Sequence, residues 1–220
     1  MGNPFYGRTY ERYTKRAFDI IFALFLVILF FPICVLVALF IKTDSTGPVF
    51  ADVPERVGKH KKMFKMFKFR SMIANAHTLL RTDPRFRKLF DEYKKGSYKL
   101  KKDPRTTGIG RFIRKHSFDE IPQLLNVIRG EMSLVGPRAY YPDELEEQQR
   151  KYPETKPLVK KVLSIRPGIT GLWQVSGRSE INFDKRIALD ADYANSISLW
   201  NDLGIICRTP WVMLTGRGAI

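Results

Sequence analysis

The 220-residue sequence predicts an α+β protein that is mainly helical, with a membrane-embedded helix near the N-terminus and a small β-hairpin after it. Residues 20–41 predict the membrane helix, because they carry no charge over 22 positions. At about 1.5 Å per residue this run extends roughly 33 Å, enough to cross a bilayer core of about 30 Å. Two short apolar runs on either side of turn residues predict the hairpin. Most of the remaining chain is charged and favours helices.

The apolar run can sit in the membrane in two ways. Pro32 lies near its middle and frees the carbonyl of Ile28 from helical hydrogen bonding. Basic residues flank both ends, at 12–16 and at 42–70, so the positive-inside tendency draws both ends to the cytoplasmic side. A helix that breaks, dips into one leaflet and returns satisfies both observations. A straight span with a tolerated proline kink also matches the length. The run is too long for a signal-peptide core.

The hairpin is predicted between residues 43 and 72. One strand is expected at Val49–Val53, the turn contains Pro54 and Gly58, and the second strand lies within 62–72. Lysines and phenylalanines interleave in the second piece. This pattern suits anionic lipid or single-stranded nucleic acid, and it also occurs on plain solvated faces. Beside a membrane segment lipid is the better match, and we expect no nucleic-acid partner.

The C-terminal two thirds of the chain favour helices with irregular connections. Residues 74–102 and 143–152 are charged and helical in tendency. The glycine-rich run 166–178 is either a loop near phosphate or a plain connector with Trp173 as its apolar anchor. The tail from residue 183 has helical periodicity, and Pro210 bends it. Its tryptophans fit a helix lying flat on a membrane and fit ordinary core packing equally well.

The charge balance calls for an anionic partner. Lys and Arg together number 38 against 22 acidic residues, a formal net charge of +16. Nucleic acid, phospholipid headgroups and phosphorylated substrates are the candidate classes. The two cysteines, Cys34 and Cys207, imply no disulfide framework and are compatible with a reducing cytosol.

Two adjacent carboxylates, Asp119 and Glu120, stand out in this basic chain. Pro122 follows and can open or bend a helix. A carboxylate pair at a helix start among basic residues suits a site for a divalent metal and phosphate. The alternative is a capping box, in which Ser117 caps the helix and Glu120 occupies its third position. Pro122 argues mildly against that alternative. The surrounding basic residues are Arg111, Arg114, Lys115, Arg129 and Arg138.

These motifs resemble the monotopic polyprenyl-phosphate phosphoglycosyl transferases, also called the bacterial sugar transferase family. The resemblance covers the chain from about residue 15 to 215. It is carried by KRAFDI at 15–20, the Pro-containing apolar run, FKFRSM at 67–72, SFDEIPQLLNVIRGEMSLVGPR at 117–138 and RPGITGLWQVSGR at 166–178. The order of these motifs makes the resemblance specific. Because extra spanning helices of larger relatives are missing, the chain resembles the minimal catalytic form.

The resemblance implies a reaction. A sugar phosphate passes from a UDP-sugar to a polyprenyl phosphate such as undecaprenyl phosphate, and UMP leaves. Asp119 is implied as the nucleophile that forms a covalent phospho-sugar intermediate, with Glu120 as its partner. Mg²⁺ held near both carboxylates would neutralise the diphosphate. The implied ligands of substrate phosphate are Lys68, Arg114 and Arg138, with Arg70 as a weaker candidate.

The resemblance also implies a topology. Residues 1–16 form an interfacial segment, residues 17–42 a re-entrant helix broken at Pro32, and residues 43–220 a cytoplasmic catalytic domain with amphipathic interfacial helices. The expected location is the bacterial inner membrane. The competing hypothesis is a non-catalytic, membrane-anchored basic module, which would need no reactive carboxylate at Asp119. The sequence does not identify the transferred sugar or the pathway. It also leaves the oligomeric state open, with a homo-oligomer as one option.

Overall fold

The long apolar run lies in one helix of the computed structural model, which describes residues 3–95, 100, 103–177 and 181–215. Helix α1, Gly7–Thr9, and a π-helical turn, Tyr10–Thr14, lead into helix α2, Lys15–Asp44. Pro32 lies inside α2, and the helix continues on both sides of it. Pro32 therefore does not separate two helices, whereas the resemblance implied that it would. It removes one hydrogen bond within a single helix, a loss that the neighbouring turns tolerate.

Helix α2 is long and apolar enough to cross a membrane, and 11% of its most apolar 18-residue window is buried. Its N-terminal half packs against the main core, with Ala23 fully buried. Its C-terminal part packs Val37 and Ile41 against Phe69 and Ile113. Large apolar side chains cover the remaining surface of the helix and are exposed: Ile21, Leu24, Phe25, Ile28, Leu29, Phe31, Val35, Leu36, Leu39 and Phe40.

Polar contacts attach both ends of α2 to the rest of the protein. Near the N-terminal end, the Arg16 guanidinium donates to the carbonyls of Val127 and Ile128 at 2.6 and 2.9 Å. Asp19, four residues further on, accepts hydrogen bonds from Ser133. At the C-terminal end, the Asp44 carboxylate accepts from the backbone N–H of Ile109 at 3.3 Å.

The rest of the described chain is mainly helical, which confirms the predicted fold class. The longer helices at the C-terminus are α10 and α11, and Pro210 lies inside α11. The helices after α2 are α3 (Ala76–Thr82), α4 (Arg87–Lys95), α5 (Gly108–Lys115), α6 (Gln123–Arg129), α7 (Pro142–Lys151), α8 (Lys156–Val162), α9 (Leu172–Ser176), α10 (Phe183–Asn195) and α11 (Leu199–Thr215).

The predicted hairpin is present, but its first strand is displaced along the chain. Strand β1 is Arg56–Val57, antiparallel to β2, Met63–Phe64. The sequence placed the first strand at Val49–Val53, and that position was wrong. Residues 59–61 close the hairpin as a 3₁₀ turn, in which His60 has a φ of 55°. Because this tight turn begins just after Gly58, β1 must lie directly before it. The earlier run still pairs with the predicted second strand, through an isolated antiparallel bridge between Phe50 and Phe69.

A second sheet pairs two segments far apart in sequence. Strand β3, Ser133–Val135, runs parallel to β4, Gly168–Thr170. The sequence predicted a loop or a connector over 166–178, and residues 168–170 of that run form this strand. A Cβ on Gly168 would lie 2.1 Å from the backbone nitrogen of Gly136. The two glycines thus allow an approach that side chains would block, which brings the Gly136–Arg138 turn beside β4.

Candidate active site

The two carboxylates lie on a short turn between two helices. Phe118–Glu120 is a 3₁₀ turn that follows α5 and precedes α6. Ser117 adopts a left-handed conformation with a φ of 57°, and its side chain makes no capping hydrogen bond. The capping-box alternative is therefore wrong. Pro122 directly precedes α6, as expected for a proline that opens a helix.

Lys68 contacts both carboxylates. Its Nζ lies 3.2 Å from Asp119 Oδ2 and 2.8 Å from Glu120 Oε1. The backbone N–H of Phe69 also donates to the Asp119 carbonyl at 3.0 Å, which holds the two segments together. Buried Asn126 adds a second tie, because its side chain accepts from the Phe67 N–H at 2.9 Å. The FKFR motif and the carboxylate turn thus form one unit.

Burial and the neighbouring opposite charge have opposing effects on the pKa values of Asp119 and Lys68. Burial raises the pKa of Asp119 above its ordinary value, and Glu120 raises it further, while Lys68 and Arg114 partly offset the rise. For Lys68, burial alone would lower the pKa, but the charges of Asp119 and Glu120 outweigh it and raise the pKa. Lys68 is therefore protonated at neutral pH, and its charge favours the ionised form of Asp119 against the effect of burial.

Arg138 and Arg114 line the same cavity as Asp119. Two neighbours position Arg138: its guanidinium lies 3.8 Å from the Glu144 carboxylate and 5.4 Å from the centre of the Trp173 ring. The side chain is 15% exposed, so some of it remains accessible from the cavity. Arg114 lies near enough to Asp119 for its charge to lower the pKa of that carboxyl.

Arg70 is placed differently from the other candidate phosphate ligands. Its guanidinium donates to the carbonyls of Thr46, Ser45 and Ile41, at 2.6, 2.8 and 3.4 Å. These carbonyls belong to the C-terminal end of α2 and the residues after it, where helical partners are missing. Arg70 borders the cavity, but its hydrogen bonds anchor the C-terminal end of α2. This arrangement favours a positioning role for Arg70.

A cavity of about 280 Å³ joins these residues. It reaches beyond the carboxylates to side chains that the sequence analysis did not single out, among them Arg56, His77, Tyr93 and Tyr141. No local signal marks Arg56, which is one of 38 basic residues in the chain. Arg56 lies in strand β1, and the pairing of β1 with β2 places it in the lining of the cavity. Arg178, at the end of the last family motif, lies outside the described residues.

The donor set at the carboxylates fits a magnesium ion that also binds substrate. Among the residues that the structure describes, no group of three His, Cys, Asp or Glu side chains could hold a metal. Mg²⁺ commonly uses only one or two carboxylates and completes its shell with water and substrate phosphate. Asp119 and Glu120, which already share the Lys68 ammonium, could supply such a pair.

Comparison with known proteins identifies the family. The bacterial sugar transferase model matches residues 10–216, and the chain belongs to this family. The exopolysaccharide production protein ExoY of Rhizobium meliloti is 39% identical over 207 residues, which cover 93% of this chain and 87% of that protein.

Longer proteins also match. The UDP-galactose-lipid carrier transferase of Erwinia amylovora is 43% identical over 213 residues, 95% of this chain and 42% of that protein. The undecaprenyl-phosphate glucose phosphotransferase of Komagataeibacter xylinus is 40% identical over 200 residues, 89% of this chain and 35% of that protein. This chain thus spans about two fifths of these longer relatives. Because their names contain different sugars, the similarity does not identify a sugar for this protein.

Proposed function

We propose that the protein transfers a sugar-1-phosphate from a UDP-sugar to a polyprenyl phosphate and releases UMP. The observation that carries the proposal is Asp119, a buried carboxylate paired with Lys68 in a cationic cavity beside an apolar helix. The names of the relatives, which include undecaprenyl phosphate and exopolysaccharide production, support the same chemistry. The product would be a polyprenyl-diphosphate-linked sugar, the first membrane intermediate of a bacterial glycoconjugate.

The reaction proceeds in two displacements at one phosphorus atom. An oxygen of Asp119 attacks the phosphorus that bears the sugar, and the phosphoanhydride bond to UMP breaks, with its electron pair leaving on UMP. An oxygen of the polyprenyl phosphate then attacks the same phosphorus. The bond to Asp119 breaks, and the carboxylate is regenerated. Two steps avoid bringing two anionic substrates together in a single encounter.

Cationic side chains carry most of the proposed catalysis, because the reacting groups are polyanions. Lys68 neutralises Asp119 and lies where it can also meet the transferred phosphate. Arg138, with its position set by Glu144 and Trp173, offers a planar pair of donors to phosphate oxygens. Asp119 and Glu120 would hold Mg²⁺ together with the diphosphate. When bound, the ion would supply charge neutralisation for the diphosphate.

We further propose that both ends of α2 lie on the cytoplasmic side of the membrane and that the helix enters one leaflet without crossing the bilayer. Contacts at both ends of the helix support this topology, since Arg16 and Asp44 each bind backbone groups of the same domain. A helix that crossed the bilayer would place one of these polar ends on the opposite side of the membrane, away from the domain that both ends contact. The exposed apolar middle of α2 would then lie in the cytoplasmic leaflet of the bacterial inner membrane.

Release of UMP tests the proposed reaction. Purified protein is incubated with undecaprenyl phosphate, Mg²⁺ and one UDP-sugar at a time from a panel. We expect release with at least one sugar, and sustained turnover only with the lipid. The Asp119→Asn variant should lose at least about 1000-fold in rate while it still folds and associates with membranes. Retained turnover in that variant would remove Asp119 as the nucleophile.

A further inference from the structure

Arg56 is buried in the cavity without a counter-ion. Only 7% of the residue is exposed, and its one hydrogen bond runs from Nη1 to the Ala139 carbonyl at 3.1 Å. Its Nε is buried and makes no hydrogen bond in the described structure. Across the part of the chain that the structure describes, no carboxylate lies within 4.0 Å of the guanidinium. The guanidinium carbon stands 3.2 Å from the centre of the Tyr141 ring.

Among the buried arginines of the described residues, Arg70 also lacks a carboxylate partner, but its guanidinium donates to three carbonyls, whereas that of Arg56 donates to one. Arg105 and Arg186 are each 1% exposed, yet each has a carboxylate partner. Arg105 lies 2.6 Å from Asp103, and Arg186 lies 3.4 Å from Glu144. A buried charge without an opposite charge is costly, and stacking on one ring offsets only part of that cost. An anionic ligand would supply the missing partner of Arg56.

The surroundings of Arg56 add to the positive field. Burial, together with the charges of Arg56, Arg105, Lys68 and Arg81, lowers the pKa of His77 to about 3. The charge of Arg56 also tends to lower the pKa of Lys68, which indicates that the two cations are neighbours. Since Lys68 contacts Asp119, the cationic lining continues from the carboxylate turn past Lys68 to Arg56.

The packing of Arg56 separates it from the membrane helix. Its aromatic neighbour Tyr141 belongs to a cluster with Leu80, Tyr93 and Leu100, and this cluster includes no residue of α2. On the other side of the site, Phe118 packs in the cluster that contains Val37 and Ile41 of α2. A lipid phosphate would approach along α2, whereas a water-soluble nucleotide can occupy the end of the cavity at Arg56.

We propose that Arg56 binds the phosphate of the leaving UMP. This inference rests on the proposed transferase function. With the transferred phosphorus at Asp119, the second phosphate of the UDP-sugar lies one bridging oxygen away, on the Lys68 and Arg56 side. Breaking the phosphoanhydride bond leaves additional negative charge on UMP. The guanidinium of Arg56 neutralises that charge, and Tyr141 keeps the guanidinium plane in position.

Binding of UMP and uridine tests this role, since the two ligands differ only in the phosphate. The affinity of each is measured with Mg²⁺ for the wild type and for Arg56→Met, which keeps the length of the side chain and removes its charge. We expect the wild type to bind UMP more tightly than uridine. Arg56→Met should weaken UMP binding about tenfold or more and leave uridine binding unchanged. Arg111→Met, at an exposed arginine of α5, is the matched control.

The Tm of Arg56→Met and its KM for undecaprenyl phosphate distinguish binding of the UMP phosphate from a structural role and from binding of the lipid phosphate. Removing a buried unpaired charge should leave the Tm of ligand-free Arg56→Met no lower than that of the wild type. An undiminished preference for UMP in this variant would overturn the proposal, as would a selective rise in the KM for undecaprenyl phosphate. If Arg56→Met does not fold, Arg56→Gln, which also removes the charge, replaces it, and an undiminished preference there has the same meaning. Failure of the wild type to bind UMP would instead contradict the proposed function itself.

Discussion

Lys68 sets the protonation of the proposed nucleophile. Burial raises the pKa of Asp119, and the nearby ammonium of Lys68 opposes that rise through a contact of 3.2 Å. Only the ionised carboxylate can attack phosphorus. The rate of the first step should therefore fall on acidification at a pH above the ordinary aspartate pKa of about 4.

Replacing Lys68 should move this pH dependence in a known direction. The Lys68→Met variant loses the charge that lowers the pKa of Asp119, so the acidic limb of the pH–rate profile should shift to higher pH. We also expect the rate at the optimum to fall by about 100-fold. Single-turnover UMP release between pH 4 and 8 measures both effects. Lys65→Met, at an exposed lysine, is the control, and an unmoved limb in Lys68→Met would contradict the assignment.

Glu120 is expected to act through the metal ion. Excess chelator should abolish UMP release, and added Mg²⁺ should restore it. Because Glu120→Gln removes one of two carboxylate ligands, the variant should need about tenfold more Mg²⁺ for half-maximal activity. Titration of activity with Mg²⁺ measures this shift. Full activity of the wild type in excess chelator would reject the metal proposal.

At the scale of elements, the second sheet positions the Gly136–Arg138 turn. The Gly168 N–H donates to the Pro137 carbonyl at 2.8 Å, and a Cβ at Gly168 would meet the backbone of Gly136. Gly168→Ala should therefore push the two segments apart. We expect a loss of about 1–3 kcal/mol in the free energy of unfolding, with a reduced rate through displaced Arg138.

A second glycine supplies the matched control for this prediction. A Cβ at Gly204, in α11, would meet no atom within 4 Å. Gly204→Ala should raise the free energy of unfolding by about 0.4–1 kcal/mol, because alanine loses less backbone entropy in a helix. Denaturant unfolding of both variants measures the difference. Equal stabilities would contradict the close packing at Gly168.

At the scale of the whole molecule, we expect α2 to connect the proposed catalytic domain to the membrane. A buried network ties it to α11: Tyr10 and Lys15 both contact the Asp202 carboxylate, and Tyr193 donates to the same group at 2.6 Å. Trp200 and Trp211 of α11 are 62% and 71% exposed, so core packing does not account for these two rings. Their exposure favours contact of α11 with the membrane surface.

The re-entrant topology predicts that both ends of the chain face the cytoplasm. Single cysteines replace Phe5 or Thr215 in a variant that lacks Cys34 and Cys207. A membrane-impermeant thiol reagent should label both positions only after the cells are opened. Labelling of the residue-5 cysteine in intact cells would show that α2 spans the bilayer. The Thr215 variant is the control in that experiment, since either topology can keep the domain inside.

Local patterns along the chain were enough for much of this description. The apolar run, the helical character of the remaining chain and the adjacent carboxylates depend on neighbouring residues, whose period and spacing are visible in one dimension. The family motifs also identified Lys68, Arg114 and Arg138 as residues of one site, and the structure places all three around the cavity of Asp119.

Local sequence patterns could not predict the contacts between segments that are distant along the chain. Strand β1 was misplaced because the strand position depends on the turn that closes the hairpin. Arg70 resembled a phosphate ligand until its hydrogen bonds to the end of α2 were seen. No sequence pattern identified Arg56, because its distinguishing feature is burial of the guanidinium without a carboxylate partner. Burial and pairing of charges are properties of the packed molecule, and they follow from which surfaces meet when the chain has folded.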